Sequence, residues 1–359
     1  MELKKIINDI GLPRFIIAIF LIVLLAATPA LGISLPASLE NVFGRFGMFS
    51  VLVLSMIPMI QSGCGLNFGL PLGVIAGILG SVISIELGLV GFTGLIVAMV
   101  IGILFAIIFG GIYGFLLNRI KGDEMLIATY VGFSFVSFMS IIWTILPFKN
   151  PVSVMSYGGI GLRQQIPVAD YWMNNIKFAD GTSKSVGMIS DFLSFEIVKG
   201  FRFPTGMILF FILIALIVSV FFKTKLGTGI SAVGSNPQYA KAAGIDIDKM
   251  RLVSVILSTA IAALGIIVYQ QSYGYIQLYT APLSFTFQSV AAILIGGASI
   301  NKANIANVAI GTLLFQGILT MTPIVINGAL SIDVSEVIRI IVTNGMIIYA
   351  LTRRNKNEG

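Results

Sequence analysis

Residues 223–251 read KTKLGTGISAVGSNPQYAKAAGIDIDKMR, and the chain can be understood outward from them. The stretch separates two strongly apolar runs. Lys223 and Lys225 follow the first, and Lys249 and Arg251 precede the second. Between them Ser235-Asn236-Pro237 is a helix start signal, 239–243 forms helix readily, and Gly244 is a stop. A short capped helix between basic flanks is a surface presented to something.

Composition decides the class around it. Of 359 residues, 57% are hydrophobic and only 10% are charged, with a mean hydropathy of +1.00. Soluble domains carry roughly a quarter charged residues, so this is a membrane protein. The net charge of +7 is no nucleic-acid footprint, because the basic residues flank apolar runs where the positive-inside rule expects them. Membrane lipid is the expected surrounding, and nucleic acid is not expected as a partner. One cysteine, Cys64, excludes an internal disulfide framework. With no histidine, imidazole metal sites, histidine-activated nucleophiles and histidine proton relays drop out, and no metal site is expected.

The apolar runs set the expected topology. Residues 15–33 are long enough to span and read as an uncleaved first helix. A polar outer turn is expected over 34–45. Residues 48–87 exceed one bilayer thickness and are interrupted by Pro58, Gly63, Gly65, Gly69 and Pro71. They predict either two spans meeting sharply or a discontinuous span followed by a regular one. Further runs cover 88–117, 125–146, 203–222, 252–269, 283–300, 305–321 and 334–351, for about ten spans in all. Gly102, Gly110, Gly111 and Gly114 have the spacing of close helix packing. The polar stretch 147–203 is expected as an extracytoplasmic insertion. Fourteen of the 22 basic residues fall in the start, the 118–124 turn, 223–251, Lys302 and the tail. Placing these inside puts both termini in the cytoplasm. The expectation is an all-α, polytopic, multi-pass protein with one or more broken helices, its residues 1–359 forming a single transmembrane domain.

Charge within the spans is sparse. Glu86 is read as a cap or anchor, and Glu336 with Arg339 as an interfacial i, i+3 pair. Neutral polar side chains are more numerous, among them Tyr269, Gln271, Gln316, Asn327 and Asn344. Amides, phenols and rings at membrane depth suit an uncharged polar solute. The candidate path residues are Gln61, Asn67 and Phe68 near the glycine-rich break, with Gln270, Tyr273 and Gln288 further on. Each also has an ordinary reading as an interhelical contact. The chain has no GxxxxGK[ST] phosphate loop, so any ATP-derived energy must come from a partner.

Residues 226–245, LGTGISAVGSNPQYAKAAGI, resemble the cytoplasmic signature of permease subunits of ABC importers. The similarity is to the ribose/simple-sugar and nucleoside group of this branched-chain-amino-acid-like, binding-protein-dependent family. The matching positions are Gly229, Ala232, Val233, Gly234, Asn236, Ala240, Ala243, Gly244 and Ile245, followed by Lys249 and Arg251. The resemblance implies that Gly229, Gly234, Ser235, Asn236, Ala240, Ala243, Gly244 and Ile245 belong to a segment that couples to an ATPase. An early glycine-rich break and IGGAS at 295–299 extend the resemblance. GCGLNFGLP and INKANIANVAIG depart from the family's usual GGIDLSVG-like and glycine-rich runs.

The resemblance implies an importer permease of type II-like fold in a bacterial-type cytoplasmic (inner) membrane. It implies ABC ATPase subunits that carry ATP and Mg, with no cofactor on this chain. It further implies a second permease, identical or paralogous, and an extracytoplasmic solute-binding protein. Such a chain transports and performs no covalent chemistry, so it is not expected to be an enzyme. The alternative function is a stand-alone secondary carrier or channel for a neutral polar solute.

Overall fold

The computed structural model describes residues 12–120, 122–155, 160–177, 183–330 and 334–352. Lys4, Lys5, Lys121, Arg353, Arg354 and Lys356 of the charge pattern lie outside the described residues, as does the side chain of Arg339. The main helices, in chain order, are α1 (Leu12–Ala27), α2 (Leu35–Leu54), α3 (Met56–Gln61), α4 (Leu70–Glu86), α5 (Gly91–Arg119) and α6 (Glu124–Ile145). They continue as α7 (Thr205–Phe222), α8 (Lys225–Ser235), α9 (Pro237–Ala242), α10 (Ile247–Tyr273), α11 (Ala281–Ile295), α12 (Ile305–Leu330) and α13 (Ser335–Thr352).

Among the described residues seven segments are long and apolar enough to cross a membrane: 14–31, 35–61, 91–119, 124–145, 205–222, 247–273 and 305–330. α4 and α11 are shorter apolar helices. The outward faces of α5 and α7 expose Leu104, Ile108 and Ile112, and Leu213, Leu216 and Ile217. A helix that leaves such side chains uncovered faces hydrocarbon.

The polar stretch 34–45 is not a turn. Ser34 caps α2 by accepting from the Ala37 amide, and Pro36 sits in the first turn, where its missing donor costs nothing. Glu40, Asn41 and Arg45 are therefore helical residues, and the turn falls earlier, at 28–34. There Thr28 Oγ1 donates to the Leu25 carbonyl at 2.8 Å and Gly32 adopts φ +70°. Further on, the ring of Pro58 conflicts with the carbonyl four residues back, that of Leu54, and the helix breaks at Ser55. Gly63 and Gly65, at φ +75° and +78°, then turn the chain into α4. Residues 48–87 thus form one interrupted span followed by a regular helix.

α4 lies at the centre, buried along almost its whole length between α5 and α10. Gly80 faces α5, where a Cβ would overlap the Ala98 carbonyl and come within 2.6 Å of the Gly102 amide. Gly73 and Gly77 face α10, 2.6 Å and 2.5 Å from the Thr259 and Ala263 carbonyls on the same measure. Gly110 and Gly114 of α5 likewise accept α10, near Thr259 and Leu252. Small residues let three backbones approach where no apolar–water contrast drives helices together. Gly111 has open space instead, so only three of the four expected packing glycines on α5 pack.

The two ends differ. At one, Asn118 and Glu124, the 223–251 segment and the 296–304 loop gather, as the charge pattern expects of one membrane side. At the other lie the described parts of 147–203, whose short strands the all-α expectation did not include. β1 (Gln165–Pro167) pairs with β6 (Tyr275–Gln277), β2 (Met173–Lys177) with β3 (Ser183–Gly187), and β4 (Phe195–Val198) with β5 (Phe201–Phe203), all antiparallel. Strands this short leave no usable alternation in sequence. Glu86 fastens the stretch to α4, its carboxylate accepting from the Lys149 and Asn150 amides at 2.8 and 3.0 Å.

Substituting Gly80→Val forces β-branched volume onto the α5 backbone and should cost about 1–3 kcal/mol. Gly111→Ala should be neutral or slightly stabilising, since Ala is the better helix former. Thermal unfolding of the detergent-solubilised chain checks the contrast, with a lowered Tm expected for the first variant only.

Candidate functional site

Two features stand out, the 223–251 segment at one end and a cavity towards the other. The segment begins with α8, an eleven-residue helix that its sequence gives little sign of. Gly227, Gly229 and Gly234 argue against helix by propensity. Packing overrides them: Gly227 lies on the backbone of Phe221 and Phe222, and a Cβ on Gly229 would sit 2.8 Å from Met250 Sδ. Thr224 caps α8 by accepting from the Gly227 amide at 3.3 Å.

Asn236 ends α8 and starts α9, accepting from the Tyr239 amide at 3.0 Å, with Pro237 as the first helical residue. Gly244, at φ +77°, closes α9 in a Schellman motif. Its amide donates to the Lys241 carbonyl at 3.0 Å and the Ile245 amide to the Ala240 carbonyl at 2.9 Å. Ala240 and Ile245 then join Ile230, Val233 and Met250 in a small separate core.

The family-matched residues therefore divide. Gly229 and Ala240 are buried, Gly234 and Ile245 are half-buried, and Ser235, Asn236, Ala243 and Gly244 are exposed. Tyr239 is not one of those positions, yet it is the more exposed of the segment's two exposed large hydrophobic side chains, at 70% against 42% for Leu226. The sequence signal was its place one residue before the buried Ala240 on a two-turn helix.

Gly234 makes the closest contact. A Cβ there would overlap the Gln61 carbonyl and lie 2.9 Å from the Gly63 amide, so the segment rests directly on the backbone of the helix break. A second attachment ties α10 to α6 and α5. Arg251 Nη1 meets Glu124 Oε1 at 3.1 Å with both side chains largely covered, and Asn118 Nδ2 donates to the Asp248 carbonyl at 2.7 Å.

The cavity, of about 640 Å³, lies between α2, α10, α11, α12 and α13. One wall is aromatic: Tyr269 stacks on Tyr273 at 5.2 Å and meets Phe49 and Phe285 edge-on at 5.2 and 4.9 Å. The lining also carries amides, where Gln316 Nε2 donates to Gln288 Oε1 at 3.4 Å, and Asn344. Arg45 lies over the Tyr273 ring at 5.9 Å and Glu336 contributes to the lining. A second cavity of about 350 Å³ shares Asn41, Arg45 and Tyr273 with the first and reaches Gly187, Ser190 and Arg202.

Of the six candidate path residues, Tyr273 and Gln288 line the larger cavity, together with Tyr269, Gln316 and Asn344 of the wider set. The others are placed elsewhere. Asn67 is buried, its Nδ2 donating to Ser258 Oγ at 2.8 Å while its Oδ1 accepts from the Tyr113 hydroxyl at 3.3 Å. Gln270 is buried and accepts from Ser81 Oγ at 2.7 Å. Phe68 packs edge-on to Phe287 at 6.2 Å. Gln61 Nε2 donates to the Ala303 carbonyl at 2.7 Å. At the cavity's end of the chain, Tyr279 donates to the Leu162 carbonyl at 2.7 Å, and partial burial pushes its phenol up.

A bundle of membrane-crossing helices around a polar, ring-lined cavity, with a short capped helix displayed at one end, defines a permease-type membrane protein. The family model "Branched-chain amino acid transport system / permease component" matches residues 38–351, and the chain belongs to that family. It is 36% identical over 97 residues to the nucleoside ABC transporter permease protein NupB of Lactococcus lactis, 26% of each chain. To the autoinducer 2 import system permease protein LsrC of Yersinia enterocolitica it is 26% identical over 189 residues, 52% of this chain and 49% of that one. To the probable branched-chain amino acid transport permease protein LivH of Methanocaldococcus jannaschii it is 32% identical over 108 residues, 28% of this chain and 34% of that one. The matched segments thus span between about a quarter and about half of these relatives' lengths. No solved structure matches the chain significantly.

The Glu124–Arg251 pair should show itself in a double-mutant cycle. Glu124→Gln and Arg251→Met each leave a covered charge without its partner, and the double variant should recover part of the loss. A coupling of about 1–3 kcal/mol is expected for groups in direct contact. Unfolding of the solubilised variants in mixed micelles measures it, and additive single losses would contradict the pair's energetic role.

Proposed function

We propose that this chain is the membrane-spanning permease subunit of an ATP-driven, binding-protein-dependent importer of a simple sugar or a nucleoside. The observation that carries the reading is α9, a short capped helix with an exposed tip. It is set between α8, which rests by Gly234 on a broken span, and α10, which follows after the turn at Gly244. On this reading residues 1–359 form one permease domain with about ten crossings, α4, α11 and α13 included, and both termini in the cytoplasm of a bacterial-type cell. A second permease subunit, identical or paralogous, completes the path. ABC ATPase subunits bind ATP and Mg, one docking on α9 of this chain and one on the second permease, and a solute-binding protein docks on the extracytoplasmic 147–203 stretch.

The ring-and-amide cavity supports a neutral, hydroxyl-rich or heterocyclic solute. Rings cover a flat or apolar face, while carboxamides both donate and accept. α10 connects the two features. Its 27 residues at ~1.5 Å each make a rod about 40 Å long, with Arg251 near one end and Tyr269 and Tyr273 at the other. Displacing α9 therefore moves one cavity wall, as alternating access between two states requires.

Isolation of the membrane-extracted chain should recover an ATPase subunit. Uptake of labelled ribose, galactose, uridine or adenosine by the reconstituted complex should follow ATP. Tyr239→Ala should lower ATP-driven uptake about tenfold or more, since exposed aromatic anchors carry a large share of docking energy. Membrane insertion should be unchanged. A partner-free chain whose uptake follows an ion gradient and ignores ATP would make it a secondary carrier instead.

A further inference from the structure

We propose that Gln61 is a positioning residue that transmits displacement of α9 to α11 and α12, giving the second cavity wall its own connection to the docking end. The inference rests on the ATP-driven reading above. It assigns Gln61 a role distinct from the solute contact its place in the sequence suggests.

The connection has three parts. First, Gly234 meets the Gln61 carbonyl and the Gly63 amide with no side chain between, and a Cβ on Gly63 would stand only 3.1 Å from Gly234 Cα. Two backbones this close move together, because neither has a side chain to re-pack. Second, the Gln61 carboxamide crosses to the next loop and donates to the Ala303 carbonyl at 2.7 Å, with Ala303 itself buried. Third, that loop is tied to the helices on either side of it, α11 before and α12 after. The Ser299 amide donates to the Lys302 carbonyl at 2.8 Å, and Asn307 Nδ2 of α12 donates to the Gly296 carbonyl at 2.8 Å. Gly296 and Gly311 then bring the α11 and α12 backbones into direct contact, at Asn307 and Ala292 respectively.

Gln288 lies on α11 and Gln316 on α12, so this route ends at the amide wall of the cavity. The covalent route through α10 ends at Tyr269 and Tyr273, whereas Phe285 lies on α11 itself. A displacement carried by α10 alone would shift these two tyrosines past the amides. With the Gln61 hydrogen bond in place, both walls receive it.

The native Cys64, buried three residues after Gln61, reports on this joint without an introduced label. The experiment uses the complex with its co-purified ATPase in lipid nanodiscs and follows N-ethylmaleimide modification of Cys64 with and without ATP. In the unaltered complex ATP should change the modification rate about fivefold or more, the lower range of site-to-site couplings. Gln61→Met keeps the length of the side chain and removes the donor, and should abolish most of that change. Gln61→Lys restores a donor of similar reach and should recover it. Loss in the first variant with recovery in the second supports the proposal, and a merely destabilised joint would show no such recovery. An equal ATP response in all three overturns it, as does an active ATPase with no Cys64 response in the unaltered complex. Both results leave the importer reading standing. Failure of any ATPase to associate overturns that reading and this inference with it.

Discussion

The contact of Gly234 with the backbone of Gln61 and Gly63 joins two places where helical hydrogen bonding is interrupted. Irregular backbone buried this far from solvent persists when its polar groups are satisfied within the protein. Here they are. The Cys64 amide reaches back to the Met59 carbonyl at 3.2 Å, and Ser62 Oγ donates to the same carbonyl at 2.9 Å. Asn67 donates to Ser258, which in turn donates to the Ser55 carbonyl at 2.6 Å, at the very point where Pro58 breaks the span. The break is thus a hydrogen-bonded element with a fixed shape, and α8 can lie against it because Gly234 has no side chain.

The slab of α4, α5 and α10 holds the rest in register. Its helices meet through glycine faces and are pinned by polar cross-links, Ser81 to Gln270 at 2.7 Å and, from the break just before α4, Asn67 to Ser258 at 2.8 Å. Interhelical hydrogen bonds in membranes contribute roughly 0.6 and at most ~2 kcal/mol each. Their larger effect is to fix rotation. A helix apolar on every side has no preferred face, and a single buried amide selects one. Gln270 and Gln271 do this for α10, turned to Ser81 and to the Ile189 amide respectively, which leaves Tyr269 and Tyr273 facing the cavity.

Legibility in the sequence followed the same physics. Asn236, Pro237 and Gly244 announced α9 because capping is local chemistry, complete within a few residues. Basic residues announced which turns share an end, and Pro58 with Gly63 announced the break. α8 was hidden because its three glycines have low propensity and large tertiary reasons. The 34–45 helix was hidden because Glu40 and Arg45 look like loop residues until the insertion is present, where Glu40 Oε2 accepts from the Arg202 amide at 2.9 Å. Cavity membership was hidden for a different reason. Whether an amide lines a path or joins two helices depends on helix rotation, and helices apolar all round carry no periodicity to reveal it.

That ambiguity has a physical resolution in the number of partners each amide finds. Asn67 uses both ends of its carboxamide on neighbouring helices, and Gln61 spends its donor on Ala303. Gln288 and Gln316 hold each other only loosely, at 3.4 Å, and both border open volume. An amide pair at that distance gives up little when either member turns to a hydroxyl or carbonyl of an incoming molecule. The rings are stacked and edge-packed among themselves, so they form a firm surface. On the proposed importer reading, firm rings beside adaptable amides would suit a range of neutral polar molecules. Selectivity would then come from how closely rings and amides approach, which makes the fastening of α11 and α12 as consequential for recognition as the lining residues themselves.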